Sequence, residues 1–328
     1  QTPAPDYGPQ AAPADRHQGA IGLGGLFGDV DGSQNRVGEF SIFDGDPLAR
    51  VSGSAWGNSG GQFYDVDRAF FGGNDRDQQY RALLDFNRNV LVEGVYQRMR
   101  HRLDNDPLNY LDAGISTFVV RNTHTAPDAQ YELARSDLHL GAMVAVPGAE
   151  NVRLHAAFDR IGNGGHDQAL TSSKCSNCHI VSKTRLIDQA TETLRAGATV
   201  EFDNAVLQYM YSHRDFEESA AAPTNTYDDP LHPVLLAPVF GNRISFWSRD
   251  GELPFALVPD HNKQTHTVRA NVKLSPEMRL QAGYAHVRTE NQNTELKKDA
   301  YSGSINYAYP VGRKTRLLTK LSGIRLTA

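Results

Sequence analysis

Hydrophobic and polar residues alternate along much of this chain, most clearly over residues 138–159. Apolar side chains such as Leu138 and Leu140 fall on one face of the segment, and His139 and Asp159 fall on the other. A turn at residues 147–151 divides it in two. A period of two is typical of β-strands, whose successive side chains point to opposite faces. The sequence therefore predicts a long antiparallel hairpin with one apolar and one polar face.

The same alternation recurs on both sides of this hairpin. Clear segments lie at 195–202, 207–211, 268–274, 280–284 and 301–309. In the less regular N-terminal part, further candidates lie at 37–43, 49–55, 62–67 and 78–85, and stronger ones at 90–99 and 115–120. Counting all of them predicts about fourteen strands.

Strand and loop lengths distinguish a membrane barrel from a soluble sandwich. The segments run ~9–11 residues, the length that crosses a bilayer at a tilt, whereas soluble strands cluster near ~5–6. Short connections at 147–151, 203–205, 275–277 and 310–314 alternate with long ones at 160–194, 215–264 and 288–299. This pattern predicts an all-β fold: a large antiparallel transmembrane β-barrel with short turns on one side and long loops on the other.

Composition narrows the choice further. Only 39% of residues are hydrophobic and the net charge is -5. No run approaches the ~18 apolar residues of a membrane helix, which excludes a helical membrane protein but not a barrel of half-apolar strands. A soluble, secreted β-protein remains an alternative. One helix is predicted in a loop, at 183–195, where Ile187, Ala190 and Leu194 recur at helical spacing.

The chain opens with a segment rich in Pro, Ala, Gln and Asp, which has little to bury. The start Gln1-Thr2-Pro3, without an initiator Met, is expected of a mature terminus left by signal cleavage. We therefore predict a flexible N-terminal tail at 1–34 and a barrel at 35–328.

The motif Cys175-Ser176-Asn177-Cys178-His179 carries the clearest chemistry and contains both cysteines of the chain. Its spacing is that of a c-type haem attachment site, in which two thiols bond the haem vinyl groups and the adjacent histidine becomes an axial iron ligand. A redox dithiol would need a βαβ context, and a zinc site would need a fourth ligand. We predict one covalent haem c, in a haem-binding loop at 160–194.

Four stretches carry a family resemblance. They are residues 35–40 (NRVGEF), 43–45 (FDG), 63–67 (FYDVD) and 96–102 (YQRMRHR). This part of the chain resembles the start of the MtrB/PioB family of outer-membrane β-barrels. The resemblance implies a barrel that sheathes a multihaem c-type cytochrome and so carries electrons across the outer membrane. Family barrels are usually longer, and a mid-chain haem motif is not a general feature of them.

A haem with two histidine ligands also needs a distal imidazole. His166 is the nearest candidate in sequence and lies in a glycine-flanked run, so the predicted iron ligands are His179 and His166. Further candidates on the same predicted side are His213, His232, His261 and His266.

The expected function is an outer-membrane sheath of a porin–cytochrome complex that exchanges electrons with extracellular partners. Its predicted partners are a multihaem c-type cytochrome and outer-membrane lipid, with no nucleic acid. The N-terminus is expected on the periplasmic side and the haem loop on the extracellular side. A passive diffusion porin with a loop disulfide is the alternative. Because no catalytic constellation stands out, the sequence predicts that the chain is not an enzyme.

Overall fold

A computed structural model describes residues 15–32, 37, 47–71, 77–102, 120–122, 131–174, 179–229, 247–275, 278–291, 297–310 and 316–327. In these residues the fold is almost entirely β. The main sheet contains fourteen strands, and a separate two-stranded sheet pairs β11 with β12. Among the described residues, no helix is long and apolar enough to cross a membrane.

Thirteen strands follow one another as an antiparallel meander, and β6 joins the side of β9 in parallel. The strands are β1 (Arg16–Leu26), β2 (Leu48–Ser59), β3 (Gln62–Phe71), β4 (Asp77–Phe86), β5 (Val90–Arg102), β6 (Val120–Asn122), β7 (Glu132–Val146), β8 (Ala149–Lys174), β9 (His179–Glu201), β10 (Ala205–Glu218), β11 (Thr224–Thr226), β12 (Glu252–Pro254), β13 (His261–Lys273), β14 (Arg279–Asn291), β15 (Lys297–Pro310) and β16 (Arg316–Thr327). None of the pairings between described residues joins β1 to β16.

Tight turns connect the strands at one end of the sheet. The β2–β3 turn contains Gly60 and Gly61 at φ 57° and 84°, and the β7–β8 turn contains Gly148 at φ 78°. These left-handed conformations favour glycine because it lacks a Cβ. At the opposite end the connection between β10 and β13 is long, whereas β8 and β9 are joined by four residues and β14 and β15 by five, so the long loop predicted at 288–299 is not found. The predicted sorting of turns and loops is confirmed at 147–151, 203–205 and 215–264.

The two faces of the sheet differ as the alternation predicts. Leu140, Leu154, Leu194, Val268 and Tyr284 share one face across the strands and are each 44–53% exposed. Exposed apolar side chains on one face of several adjacent strands mark a surface for contact with lipid or with another protein. The opposite face is polar. The predicted class is therefore confirmed: an all-β antiparallel meander of the transmembrane β-barrel type.

Two sequence predictions fail in the middle of the chain. Residues 160–194 are not a long loop, and 183–195 is not a helix. Instead β8 and β9 pair almost without interruption from Val152↔Val200 to Lys174↔His179. The β-branched residues Val181, Thr184 and Ile187 favour strands, and cross-strand pairing with β8 decides their conformation. The β8–β9 hairpin therefore extends far past its neighbours.

The predicted tail at 1–34 is also wrong in part. Arg16–Leu26 form β1, which pairs with β2 over eleven positions, so the sheet begins before residue 35. Gly19, Gly22, Gly24 and Gly25 make this strand look unstructured in sequence, but its backbone hydrogen bonds do not depend on side chains. Residues 1–14 lie outside the described part of the chain.

Candidate functional site

The haem motif lies at the end of the β8–β9 hairpin. Lys174 closes β8 and pairs with His179, the first residue of β9, so the motif links the two strands. Cys175 and Cys178 lie outside the described residues, and the side chain of His179 is not described. The structure thus shows which residues of the hairpin flank the two cysteines. The chemistry of the Cys and His side chains is inferred from the sequence.

The end of this hairpin projects beyond the body of the sheet. On one side β7 accompanies β8 only as far as His166, and on the other β10 accompanies β9 only as far as Gln189. At about 3.3 Å per residue, the ten residues from Gln189 to His179 span about 33 Å. We call residues 167–188 the hairpin extension. It ends on the side of the sheet opposite the short turns.

A small packed region supports the hairpin extension. Most of the buried residues that the structure describes belong to it: Tyr131, Ala169, Val181, Ser182, Ile187, Asn225 and Phe255. Elsewhere the described sheet buries little. The extension thus has a core of its own, unlike a strand pair surrounded by lipid.

Polar contacts fasten neighbouring segments to the extension. Gln168 donates a hydrogen bond to Ser182 at 2.7 Å, and the hydroxyls of Thr171 and Tyr227 are 3.0 Å apart. Lys183 donates to the carbonyl oxygen of Thr224 in β11. The first contact joins β8 to β9, and the other two hold the loop between β10 and β13 against the hairpin.

The structure does not bring His166 and His179 together. His166 is an exposed residue of β8 between Glu132 and Leu186, eight residues from Lys174. That separation is about 26 Å along a strand, far more than two imidazoles on one iron allow. The prediction of His166 as a distal ligand therefore finds no support in this geometry.

The other candidate histidines lie farther from the motif. His213 contacts Asp215 at 2.7 Å, His261 stacks on Phe216 and His266 stacks on His286. His232 lies outside the described residues. In the described part of the chain, no group of three or more His, Cys, Asp or Glu side chains is arranged to hold a metal ion.

Sequence reasoning missed a charged chain on the polar face. His139 on β7 lies between two carboxylates, with Nδ1 2.7 Å from Asp159 and Nε2 3.1 Å from Glu93. Arg195 on β9 donates to the second oxygen of Asp159. The side chains of this charged chain come from β5, β7, β8 and β9. Glu93, His139 and Arg195 line a cavity of about 290 Å³ together with Met143 and Met210. The period of two had already placed His139, Asp159 and Arg195 on this face.

Comparisons with known proteins give weak structural matches alone. No protein-family model matches the chain, and neither does any curated protein. Three solved structures of OmpT, an outer membrane protein of Vibrio cholerae, resemble it at 10% identity. The loop L8 deletion mutant has a TM-score of 0.32 over 96% of this chain and 95% of its own. The outer-membrane expressed form has 0.31 over 97% and 89%, and the in-vitro folded trimer form 0.32 over 96% and 90%.

The chain was predicted not to be an enzyme, yet the structures that resemble it are OmpT chains, and these matches give no ground for excluding a catalytic activity. The exclusion does not stand. Likeness at this level identifies no activity either.

Proposed function

We propose that this chain is the barrel of an outer-membrane electron conduit and carries one covalent haem c at the end of the hairpin extension. The observation that carries the proposal is that Lys174 and His179 pair across β8 and β9, so that the sequence linking them contains both cysteines of the haem motif. A hairpin end is accessible from several sides, and the packed extension holds it far from the sheet. Both features suit a group that exchanges electrons with a partner.

Three side chains would hold the group. The thiols of Cys175 and Cys178 would form thioethers, and the imidazole of His179 would be the proximal ligand. The haem, when bound, supplies one-electron redox chemistry. No distal ligand is assigned, because the described histidines are too far from His179.

The proposed location is the bacterial outer membrane. The exposed apolar face suits contact with lipid, and the polar face suits the interior of a barrel. Short turns lie on the periplasmic side in outer-membrane barrels. β1 begins beside them, with Arg16 opposite Asn58, and this supports a periplasmic N-terminal side and an extracellular hairpin extension.

The proposed partner is a multihaem c-type cytochrome in or beside the barrel. The resemblance to the MtrB/PioB family supports this partner. Two of the stretches that carry it, at 63–67 and 96–102, lie on β3 and β5, whereas residues 35–36, 38–40 and 43–45 fall outside the described part of the chain.

A measurement of covalent haem on the chain itself tests the proposal. The full chain is produced in a host that matures c-type cytochromes, and its membranes are extracted in detergent. We expect a haem stain that survives denaturation and a reduced α-band of the c type. Replacing both thiols, Cys175→Ala with Cys178→Ala, should remove both signals. Ser176→Ala with Asn177→Ala, between the same cysteines, should keep them.

The result that overturns the proposal is equally direct. A barrel purified without covalent haem, with Cys175 and Cys178 unreactive to thiol reagents until a reductant is added, would be the passive porin with a loop disulfide.

A further inference from the structure

Five basic side chains lie on the polar face of three adjacent strands. They are Arg214 on β10, Lys263, Arg269 and Lys273 on β13, and Arg279 on β14, and we call them the basic ladder. Their faces follow from the register, which places each of them opposite other residues of the polar face. All five are exposed.

The basic ladder has no counter-ions within the described part of the chain. None of its five side chains makes a hydrogen bond or an ion pair there. Basic residues on the polar face of the neighbouring strands behave differently: Arg135 pairs with Asp137 at 3.1 Å, and Arg153 pairs with Glu201 at 2.6 Å. Unpaired positive charge on the polar face is therefore concentrated on β10, β13 and β14.

The register sets like charges directly opposite one another. Arg214 pairs with Lys263 across β10 and β13, and Lys273 pairs with Arg279 across β13 and β14. Like charges at directly opposite positions destabilise a sheet. The polar face of the three strands carries one carboxylate, Glu218, which is engaged by Arg185 at 3.2 Å. The chain thus keeps a destabilising arrangement that an external acid would relieve.

The length of the basic ladder indicates the kind of acid. Lys263 and Lys273 are ten residues apart on one strand, about 33 Å. One small anion cannot contact both ends, whereas an extended acidic protein surface can contact both. Lysine and arginine form charge-assisted hydrogen bonds with carboxylates, and complementary charge sets the orientation in which two proteins dock.

We propose that the basic ladder is the docking surface for an acidic face of the protein that occupies the barrel. This inference rests on the proposed function, in which the occupant is a haem-bearing cytochrome. It adds the chemistry of the contact: carboxylates of the partner lie along β13 and orient it in the interior.

The test uses a defined acidic probe. Fluorescent poly-glutamate is titrated onto the full chain in detergent, and its anisotropy gives the Kd. Arg214→Gln with Lys263→Gln should raise the Kd about tenfold, because two adjacent partners of the probe are lost. Lys273→Gln with Arg279→Gln, at the other end of β13, should also raise the Kd. The result therefore does not depend on the correct folding of a single variant.

The control removes the same charge from elsewhere on the polar face. Arg135→Gln with Arg153→Gln changes two cations that Asp137 and Glu201 already neutralise. An equal rise in Kd for this control would overturn the proposal, since net charge alone would explain it. Citrate binding as tightly as poly-glutamate would also overturn it. The haem stain of each variant is read separately: a chain without covalent haem that still binds the probe contradicts the proposed function and leaves the docking surface for an acidic partner in place.

Discussion

Single side chains tie strands of the main sheet together, and Asp159 does so most clearly. One of its oxygens accepts a hydrogen bond from His139 of β7 at 2.7 Å, and the other accepts one from Arg195 of β9. Its side chain is 25% exposed. Because most of the Asp159 side chain is covered, removal of its charge costs more than removal of a charge from an open surface pair.

Asp159→Asn is therefore expected to lower the free energy of unfolding by about 1–3 kcal/mol, since Arg195 loses its charged partner. Denaturant titration of the chain in detergent measures it. Asp137→Asn is the matched control, because the Asp137–Arg135 pair is more exposed and should contribute less than about 1 kcal/mol. Equal losses in the two variants would contradict this account.

Part of this charged chain could be predicted from the sequence. A turn near residue 149 sets His139 opposite Asp159, and the alternation puts both on the polar face. Glu93 and Arg195 could not be added, because their positions depend on the registers of β5 and β9. A period of two fixes the face on which a residue lies, but not which residue of the neighbouring strand it lies opposite.

A pH-dependent contact lies outside the membrane-spanning strands. Asp229, between β11 and β12, accepts hydrogen bonds from the backbone N–H and the hydroxyl of Ser248, both at 2.8 Å. These bonds, the backbone one first, lower the pKa of Asp229 below its ordinary value because they favour the carboxylate. The contact is complete at neutral pH and is lost as the pH falls through this lowered pKa.

Fluorescence of Trp247 reports the contact, because this residue precedes Ser248 and one of its two ring faces lies against Arg249 at 4.8 Å. With Trp56→Phe removing the other tryptophan, we expect a transition on acidification whose midpoint is below that of an ordinary aspartate. Asp229→Asn should abolish it, and Asp228→Asn should leave it in place. A transition that survives Asp229→Asn would assign it to another group.

At the scale of elements, the hairpin extension is the largest departure from the sequence prediction. Ile187, Ala190 and Leu194 recur at helical spacing, yet they belong to β9. Helical spacing over one short segment does not specify a helix when a partner strand is available, and β8 supplies hydrogen bonds along the whole length. The core of the extension could not be predicted, because its residues come from separate loops and strands.

Two neighbouring residues test that core. Ile187 is 7% exposed and Leu186 is 49% exposed. Ile187→Ala should lower the stability of the extension by about 2–4 kcal/mol because it leaves a cavity, and limited proteolysis of the hairpin should then proceed faster. Leu186→Ala, on the opposite face, should be cleaved like the unmodified chain. Equal rates of proteolysis for the two variants would mean that the side of β9 that carries Ile187 is not packed in solution.

At the scale of the whole molecule, the alternation of apolar and polar residues predicted the features that strands need to cross a bilayer. The short turns and the apolar face follow from local sequence, and the structure has both, whereas most of its strands are longer than the ~9–11 residues predicted and β8 and β9 have 26 and 23 residues. Local sequence does not predict which strands lie side by side in the sheet, because pairing between distant strands depends on long-range contacts. β1 shows this, because its glycine-rich sequence has little alternation of its own and its partner β2 defines it.

The sorting of the two faces gives the most direct test of the membrane fold. Val268 and Thr267 are consecutive residues of β13, the first on the apolar face and the second on the polar face. Val268→Arg should lower the free energy of folding into lipid vesicles by about 2–4 kcal/mol, because the guanidinium would enter hydrocarbon near mid-strand. Thr267→Arg faces the interior and should cost far less. Since the substitutions add the same side chain one residue apart, strand propensity cannot explain a difference between them. Equal folding yields would show that lipid does not contact the face of Val268, and the apolar surface would then need a protein partner to cover it.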